Sequence, residues 1–261
     1  MSNQIHPTAV VGAGAQLGEG VTVGPYAVID AQVSLGEGCV VGPHVHLTGH
    51  TTIGRENHFH AGAVIGDAPQ DLKYDGEPTK LRIGDNNVFR EHVTVHRSNK
   101  LEEDTVIGSG GLYMAHCHVG HNCILGDSVI LANGALLGGH VEVADRVFIS
   151  GNCLAHQFVR IGRMALMQGG SGISKDLPPF TIARGDNGIC GLNVVGLRRA
   201  GFNAEQRTEL KQLYKLLFRS GMRMQDALSR AKVEFQSAPA VEMIEFVAAT
   251  KRGICADTGK D

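Results

Sequence analysis

From Ile5 onward an apolar residue falls at every sixth position of this chain. Ile5, Val11, Leu17, Val23, Ile29 and Leu35 open a series that keeps one frame as far as Ile173, with polar residues only at Asp71 and Glu77. Leu101 also fits the frame, although the residues around it are polar. Gly often follows the beat, as at Gly12, Gly18, Gly36, Gly54, Gly108 and Gly126, and a small residue precedes it by two, as at Ala9, Ala27, Cys39, Ala63, Cys117, Cys123 and Cys153. A helix repeats its apolar positions near 3.6 and a flat strand near 2, so neither explains this period. A period of six with Gly at the corner is the signature of a hexapeptide parallel β-helix. Each hexad makes one short strand and a turn. Three hexads close a triangular coil, so residues 18 apart stack. At a strand spacing of about 4.8 Å, roughly nine coils give a prism about 45 Å long. Coils of this class wind left-handed, against the usual right-handed crossover.

Two stretches leave the frame. Residues 67–80, DAPQDLKYDGEPTK, are polar with two prolines, and residues 97–105 read RSNKLEEDT. Both are expected to leave the prism as inserted loops, and loops of that length in a compact domain are usually functional or disordered. Pro178 and Pro179 end the repeat. The period then turns helical. Asn203 with Gln206 makes a capping box, and Leu210, Leu213, Tyr214 and Leu217 form the apolar face of a helix that stops at Gly221. Met224, Ala227, Leu228 and Ala231 mark a second helix, and Pro239 to Gly253 a third. The expected architecture is mainly β: a left-handed parallel β-helix over 1–190, then an α-helical C-terminal domain over 191–261 that covers the last coil.

No 18-residue apolar run is present, so no membrane span is expected. The N-terminus has neither a basic start nor an apolar h-region, which argues against a secretory signal. The six Cys include no CxxC pair, and four of them occupy the small inward position of the hexad. They read as buried small hydrophobes of a reduced, cytoplasmic protein. Residues 191–261 hold 12 Lys/Arg against 8 Asp/Glu, a balance of +4, whereas residues 1–190 hold 12 against 18. The helical end is therefore suited to an acidic protein partner, and nothing points to nucleic acid.

All 13 His precede residue 157. Counted modulo 18, His121, His140 and His156 fall at neighbouring phases on three successive coils, beside Gly138 and Gly139. His116 and His118 share the coil of His121, and the same count puts His96 near a different edge. A column of imidazoles admits two chemistries. An imidazole with its ordinary pKa near 6.5 can act as a general base at neutral pH, or three neutral imidazoles can hold zinc.

Longer motifs go further. DLKYDGEPT (71–79), VTVHR (93–97), HVGHNC (118–123), GGHV (138–141), AHQF (155–158), KDLPPF (175–180) and GLRRAGF (196–202) resemble the UDP-N-acetylglucosamine O-acyltransferases that open lipid A biosynthesis. The resemblance covers nearly the whole chain. It implies a homotrimer that transfers a 3-hydroxyacyl chain from acyl carrier protein to the sugar 3-hydroxyl, with neither cofactor nor metal. It implies His121 as general base and the Gly139 N–H as oxyanion donor. Asp71 and His140 would hold the sugar, and Lys73, His96, His118 and Arg199 would meet phosphates. His156, Gln157 and Asn193 would line the nucleotide or acyl groove, and Gly169 would leave room for a long acyl chain. Acyl carrier protein would dock on the basic helical end through Arg198, Arg219 and Arg223. Three residues depart from the family pattern: Asn122 follows the base where Asp is usual, Val195 replaces an acidic residue and Ala200 an Arg. Two alternatives stay open, a γ-type carbonic anhydrase-like trimeric zinc enzyme and a non-catalytic β-helix scaffold.

Overall fold

A computed structural model of the chain describes residues 2–259. Most of its strands are two residues long and parallel, and they stack into three sheets of 12, 9 and 8 strands among the described residues. The first sheet starts at Gln4–Ile5, the second at Val10–Val11 and the third at Gln16–Leu17, so each turn of the chain visits all three. Register follows the hexad: Ile5 pairs with Val23, Val11 with Ile29 and Leu17 with Leu35. The frame residues point inward. From Val23 to Ile173 nearly all are at most 5 % exposed, whereas Ile5 on the open first coil is 47 % exposed. Each buried Val, Leu or Ile contributes about 1.5–3 kcal/mol by leaving water, and the repeat supplies one every six residues.

Inside the prism Phe59, Phe89 and Tyr113 take the frame position of the first sheet on three successive coils and stack with centroids 5.0 and 4.7 Å apart. Gly111 makes this possible, because a Cβ there would lie 2.6 Å from the Tyr113 hydroxyl. The four hexad cysteines are buried free thiols, as expected. Cys123 donates to the Gly138 carbonyl at 3.1 Å, and burial pushes its thiol up to about 12.

The two polar stretches do leave the prism, and their lengths keep the frame. Val88 pairs with His58, 30 residues earlier instead of 18, so the first insertion adds 12 residues. His118 pairs with Thr94, 24 residues earlier, so the second adds 6. Both additions are multiples of six, which is why the apolar beat resumes in phase. The loops hold each other: Arg97 donates to the Gly66 carbonyl at 2.8 Å and to the Tyr74 hydroxyl at 3.0 Å.

Four helices follow: α1 (Val194–Arg199), α2 (Ala204–Arg219), α3 (Met224–Glu234) and α4 (Ala238–Ala248). The capping box at Asn203 and Gln206 is present, and Gly221 adopts φ +73° just beyond the end of α2. The expected third helix stops at Ala248, short of Gly253, and the short α1 was not anticipated because six residues carry too little periodicity. Two arginine clamps fasten α4 and the segment after it to the last coils. Asp176, 1 % exposed, accepts two bonds from the Arg160 guanidinium at 2.8 and 3.0 Å and one from Thr250 at 2.9 Å. Arg163 meets the Glu242 carboxylate at 2.6 and 3.0 Å and lies over the Phe180 ring. The strand Ala256–Asp257 then returns to the first sheet beside Gly188–Leu192.

Candidate active site

At the corner between the second and third sheets the chain turns through residues 120–123, 138–141 and 156–159 on successive coils. One residue in each turn is left-handed: Asn122 at φ +58°, His140 at +59° and Phe158 at +65°. That conformation disfavours most L residues, and a corner repeated this tightly requires it. It aims the His140 ring flat onto Phe158, with centroids 4.5 Å apart, and edge-on to His121 at 5.2 Å. His121, His156, Gln157 and Gly139 face a cleft of about 350 Å³ on the second-sheet side. His140, Asn122 and Phe158 face a larger cleft of about 1070 Å³ on the third-sheet side. The imidazoles of His121, His140 and His156 therefore do gather at one corner, with His140 across its ridge.

One histidine is placed differently from the 18-residue count. His96 is not at a separate edge. The six-residue insertion after it makes the local spacing 24, so it packs edge-on against His118 with centroids 5.0 Å apart and lines the smaller cleft. His116 shares the coil of His121, as expected, but at the next corner, where it stacks on His92 with centroids 5.2 Å apart. Burial, with His96 and His121 nearby, pulls His118 down to about 4. Burial likewise lowers His96, which is 7 % exposed and has an unpartnered Nδ1, and His140. These three rings are therefore held toward the neutral form, as donors and acceptors that need no counter-ion.

His121 has a defined tautomer. Its Nδ1 lies 2.8 Å from Asn122 Oδ1, which also accepts the Asn99 N–H at 3.1 Å. On the other side of the amide, Asn122 Nδ2 donates to Ser98 Oγ at 2.7 Å and reaches Glu103 Oε2 at 3.4 Å. A backbone N–H can only donate and a carboxylate can only accept, so the amide cannot be turned over. Nδ1 of His121 therefore carries a hydrogen, and in the neutral ring Nε2 presents its lone pair to the cleft. Gly139 lies against that atom. A Cβ at Gly139 would lie 2.6 Å from His121 Nε2, and the Gly139 N–H donates to no group among the described residues. A free basic nitrogen and a free N–H thus face one small space, which is what proton removal beside a developing oxyanion requires.

The first inserted loop brings Asp71 to the corner. Its carboxylate accepts the Lys73 N–H at 3.0 Å and the Asn99 amide at 2.6 Å, and these two bonds hold it below the usual carboxylate range. The Lys73 side chain is exposed and makes no contact with the cleft. His156 is exposed, with Nδ1 3.2 Å from the Gln157 carbonyl. Asn193 is the cap of α1: its Oδ1 accepts the Gly196 N–H and its Nδ2 donates to the Met164 carbonyl, both at 3.0 Å. Arg199, exposed at the end of the same helix, also lies outside the clefts at this corner. Gly169 is exposed at a neighbouring corner, and a Cβ there would meet only the Gly151 carbonyl, at 3.6 Å. Within one chain, then, Asp71, His96, His118, His121, Gly139, His140, His156 and Gln157 converge, and Lys73, Gly169, Asn193 and Arg199 do not.

Below His118 the outer face of the second sheet turns apolar. Leu136 and Leu154 stack in register between His118 and Gly172 and floor a groove of about 540 Å³. Sequence reasoning missed this groove, because outward hexad positions are not distinguished by the repeat. It also missed Gln70 in the cleft and Ser98, Asn99, Glu103 and Thr105 around Asn122. The only available signal was that both insertions are polar and lie close to the histidines in the stack.

Comparisons with known proteins give the family. Residues 176–255 match the second domain of the UDP-N-acetylglucosamine O-acyltransferase family model, and residues 32–67 match the bacterial transferase hexapeptide. An acyl-[acyl-carrier-protein]–UDP-N-acetylglucosamine O-acyltransferase of Verminephrobacter eiseniae is 49 % identical, over 97 % of this chain and 99 % of that protein. One from Anaeromyxobacter is 47 % identical, over 96 % and 98 %. The solved UDP-N-acetylglucosamine acyltransferases of Campylobacter jejuni and Francisella novicida superpose with TM-scores of 0.91 and 0.94, at 36 % and 33 % identity. The former covers 97 % of this chain and 99 % of its own, the latter 98 % and 95 %. The prism is thus the left-handed parallel β-helix of hexapeptide transferases. The carbonic anhydrase alternative finds no support among these relatives. A corner of fixed imidazoles on a hexapeptide coil, an end matched by the second-domain model and near-full-length relatives agree: this chain belongs to the UDP-N-acetylglucosamine O-acyltransferase family.

Proposed function

We propose that the corner cleft transfers a 3-hydroxyacyl chain from acyl carrier protein to the 3-hydroxyl of UDP-N-acetylglucosamine, the first step of lipid A biosynthesis. The observation that carries this reading is His121, with Nδ1 bonded to Asn122 and Nε2 directly beside Gly139. His121 takes the proton of the sugar hydroxyl as its oxygen attacks the thioester carbonyl. The Gly139 N–H receives the oxyanion, an interaction of about 3 kcal/mol in preorganised sites. Collapse breaks the carbon–sulfur bond, and the thiolate recovers the proton from the imidazolium. The thioester is already activated, so neither an acyl-enzyme nor a metal is required.

Asp71 and His140 hold the sugar from the two sides of His121. His96, buried, and His118, partly buried, both held toward the neutral form, donate to phosphate oxygens. The acyl chain lies along Leu136 and Leu154, with its length limited near Gly169. Lys73, Asn193 and Arg199 reach a site only if copies of the chain assemble, which supports a homotrimer with its clefts between neighbours. Acyl carrier protein docks on the basic helical end. There Arg207, Lys211 and Lys215 follow one another at helical spacing along a cavity of about 340 Å³, with Arg198 and Arg223 exposed nearby. Arg219 is a weaker candidate, since it is paired with Asp257 at 2.5 Å. Among the described residues no helix is long and apolar enough to cross a membrane. Substrates of this kind place the enzyme in the cytoplasm.

The test is transfer from 3-hydroxyacyl carrier proteins of graded length to UDP-N-acetylglucosamine, read by mass spectrometry. A product heavier than the sugar nucleotide by one hydroxyacyl group supports the reading, and no transfer from any donor rejects it.

A further inference from the structure

The base is followed by an amide, not by the carboxylate usual beside it, so something else must answer the positive charge it acquires. Asn122 Oδ1 offers His121 Nδ1 only a dipole. Two carboxylates lie nearby. Asp71 is tied to Asn99 and faces the proposed sugar site. The other is Glu103, on the second inserted loop. Lys100 bonds Oε1 of Glu103 at 2.9 Å and so fixes its direction. Oε2 then points at Asn122 Nδ2, 3.4 Å away, and lies 4.0 Å from His140 Nδ1. We infer that Glu103 is a positioning residue that acts on His121 through the Asn122 amide, so that the charge usually adjacent to the base is displaced one residue outward. A carboxylate accepting from Nδ2 polarises the amide and makes Oδ1 a better acceptor, and hydrogen-bond chains strengthen in this way. Ser98 and Asn99 hold the amide on its remaining sides and leave it one orientation, while Thr105 Oγ1 accepts the Asn122 backbone N–H. The inference rests on His121 being the base.

The groups that face His121 are Asp71, His96, His118, His140 and, across the smaller cleft, His156, with Lys100 and Glu103 behind Asn122 and His140. Removing the Glu103 charge makes the His121 imidazolium less favourable, so its titration midpoint falls. The direct readout is the His121 ring signal by NMR on the full-length protein from pH 5 to 9. Glu103→Gln is expected to lower the midpoint by about 0.5–1 pH unit and the plateau of kcat/KM about three- to tenfold. Glu103→Asp is expected to recover part of both. Asn122→Asp supplies the charge directly, and in that background Glu103→Gln is expected to lower the midpoint less than it does in the parent. An unchanged midpoint in Glu103→Gln overturns the inference, even if kcat/KM falls. A lowered midpoint in a protein without acyl transfer upholds the relay and sinks the functional reading instead. Glu103 is half exposed, so loss of folding is not expected to obscure either variant.

Discussion

Gly139→Ala puts one methyl group between the proposed base and its substrate. An ideal Cβ at residue 139 lies 2.6 Å from His121 Nε2 and 2.7 Å from Cε1, against an ordinary contact of at least 3.4 Å. The ring must therefore move by about 0.8 Å or rotate away. Gly139 does not have positive φ, so Ala is not strained there, and the backbone N–H remains. The methyl meets the far end of a side chain and not backbone, so the fold has little to lose. A retreating ring gives up the 2.8 Å bond to Asn122, and with it the fixed tautomer. Misplacing a reacting group by about 1 Å costs about 10²-fold, and losing a general base 10²–10⁴-fold. Gly139→Ala is expected to lower kcat about 10²–10³-fold while Tm moves by less than about 3 °C. The double variant with His121→Ala is expected to be no worse than His121→Ala alone, because both remove one function. Initial rates with a 3-hydroxyacyl carrier protein, together with thermal melts, decide it. A kcat within threefold of the parent would refute the placement of His121 against Gly139.

Asp176→Ala leaves the Arg160 guanidinium without its buried carboxylate and releases Thr250. A loss of about 3–5 kcal/mol is expected, seen as a fall in Tm of roughly 6–12 °C, with the helical end detaching first in hydrogen exchange. His118 titrates lower folded than unfolded, about 4 against the ordinary 6.5. The unfolded chain therefore binds the extra proton between those values, and stability rises with pH across that window. His118→Asn is expected to flatten the rise measured by urea titration at pH 4.5, 5.5 and 6.5, and an unchanged slope would contradict the burial of this ring.

The fold was legible because its period is enforced by packing. Every sixth side chain must fit a narrow prism, so Val23, Leu47, Leu131 and the rest record the coil directly in the sequence. The insertions were legible as polar interruptions, but their effect on stacking was not followed through. An 18-residue count holds within regular coils and correctly grouped His121, His140 and His156. It fails across residues 97–105, where the spacing is 24, and so it misplaced His96. The hydrogen bonds of Asn122 lay beyond sequence reasoning, since they join loop residues whose approach is set by folding and not by period. The outer apolar groove was hidden for a related reason: exposed Leu136 and Leu154 look like ordinary surface variation until the register stacks them.

The measurement closest to the centre is acyl transfer by His121→Ala, with folding and oligomeric state checked alongside. With saturating UDP-N-acetylglucosamine and a 3-hydroxyacyl carrier protein, kcat is expected to drop by at least about 10³-fold while KM for the sugar nucleotide stays within a few-fold. A folded His121→Ala protein that transfers acyl groups at the parental rate would place the base elsewhere and remove the chemical meaning given to this corner.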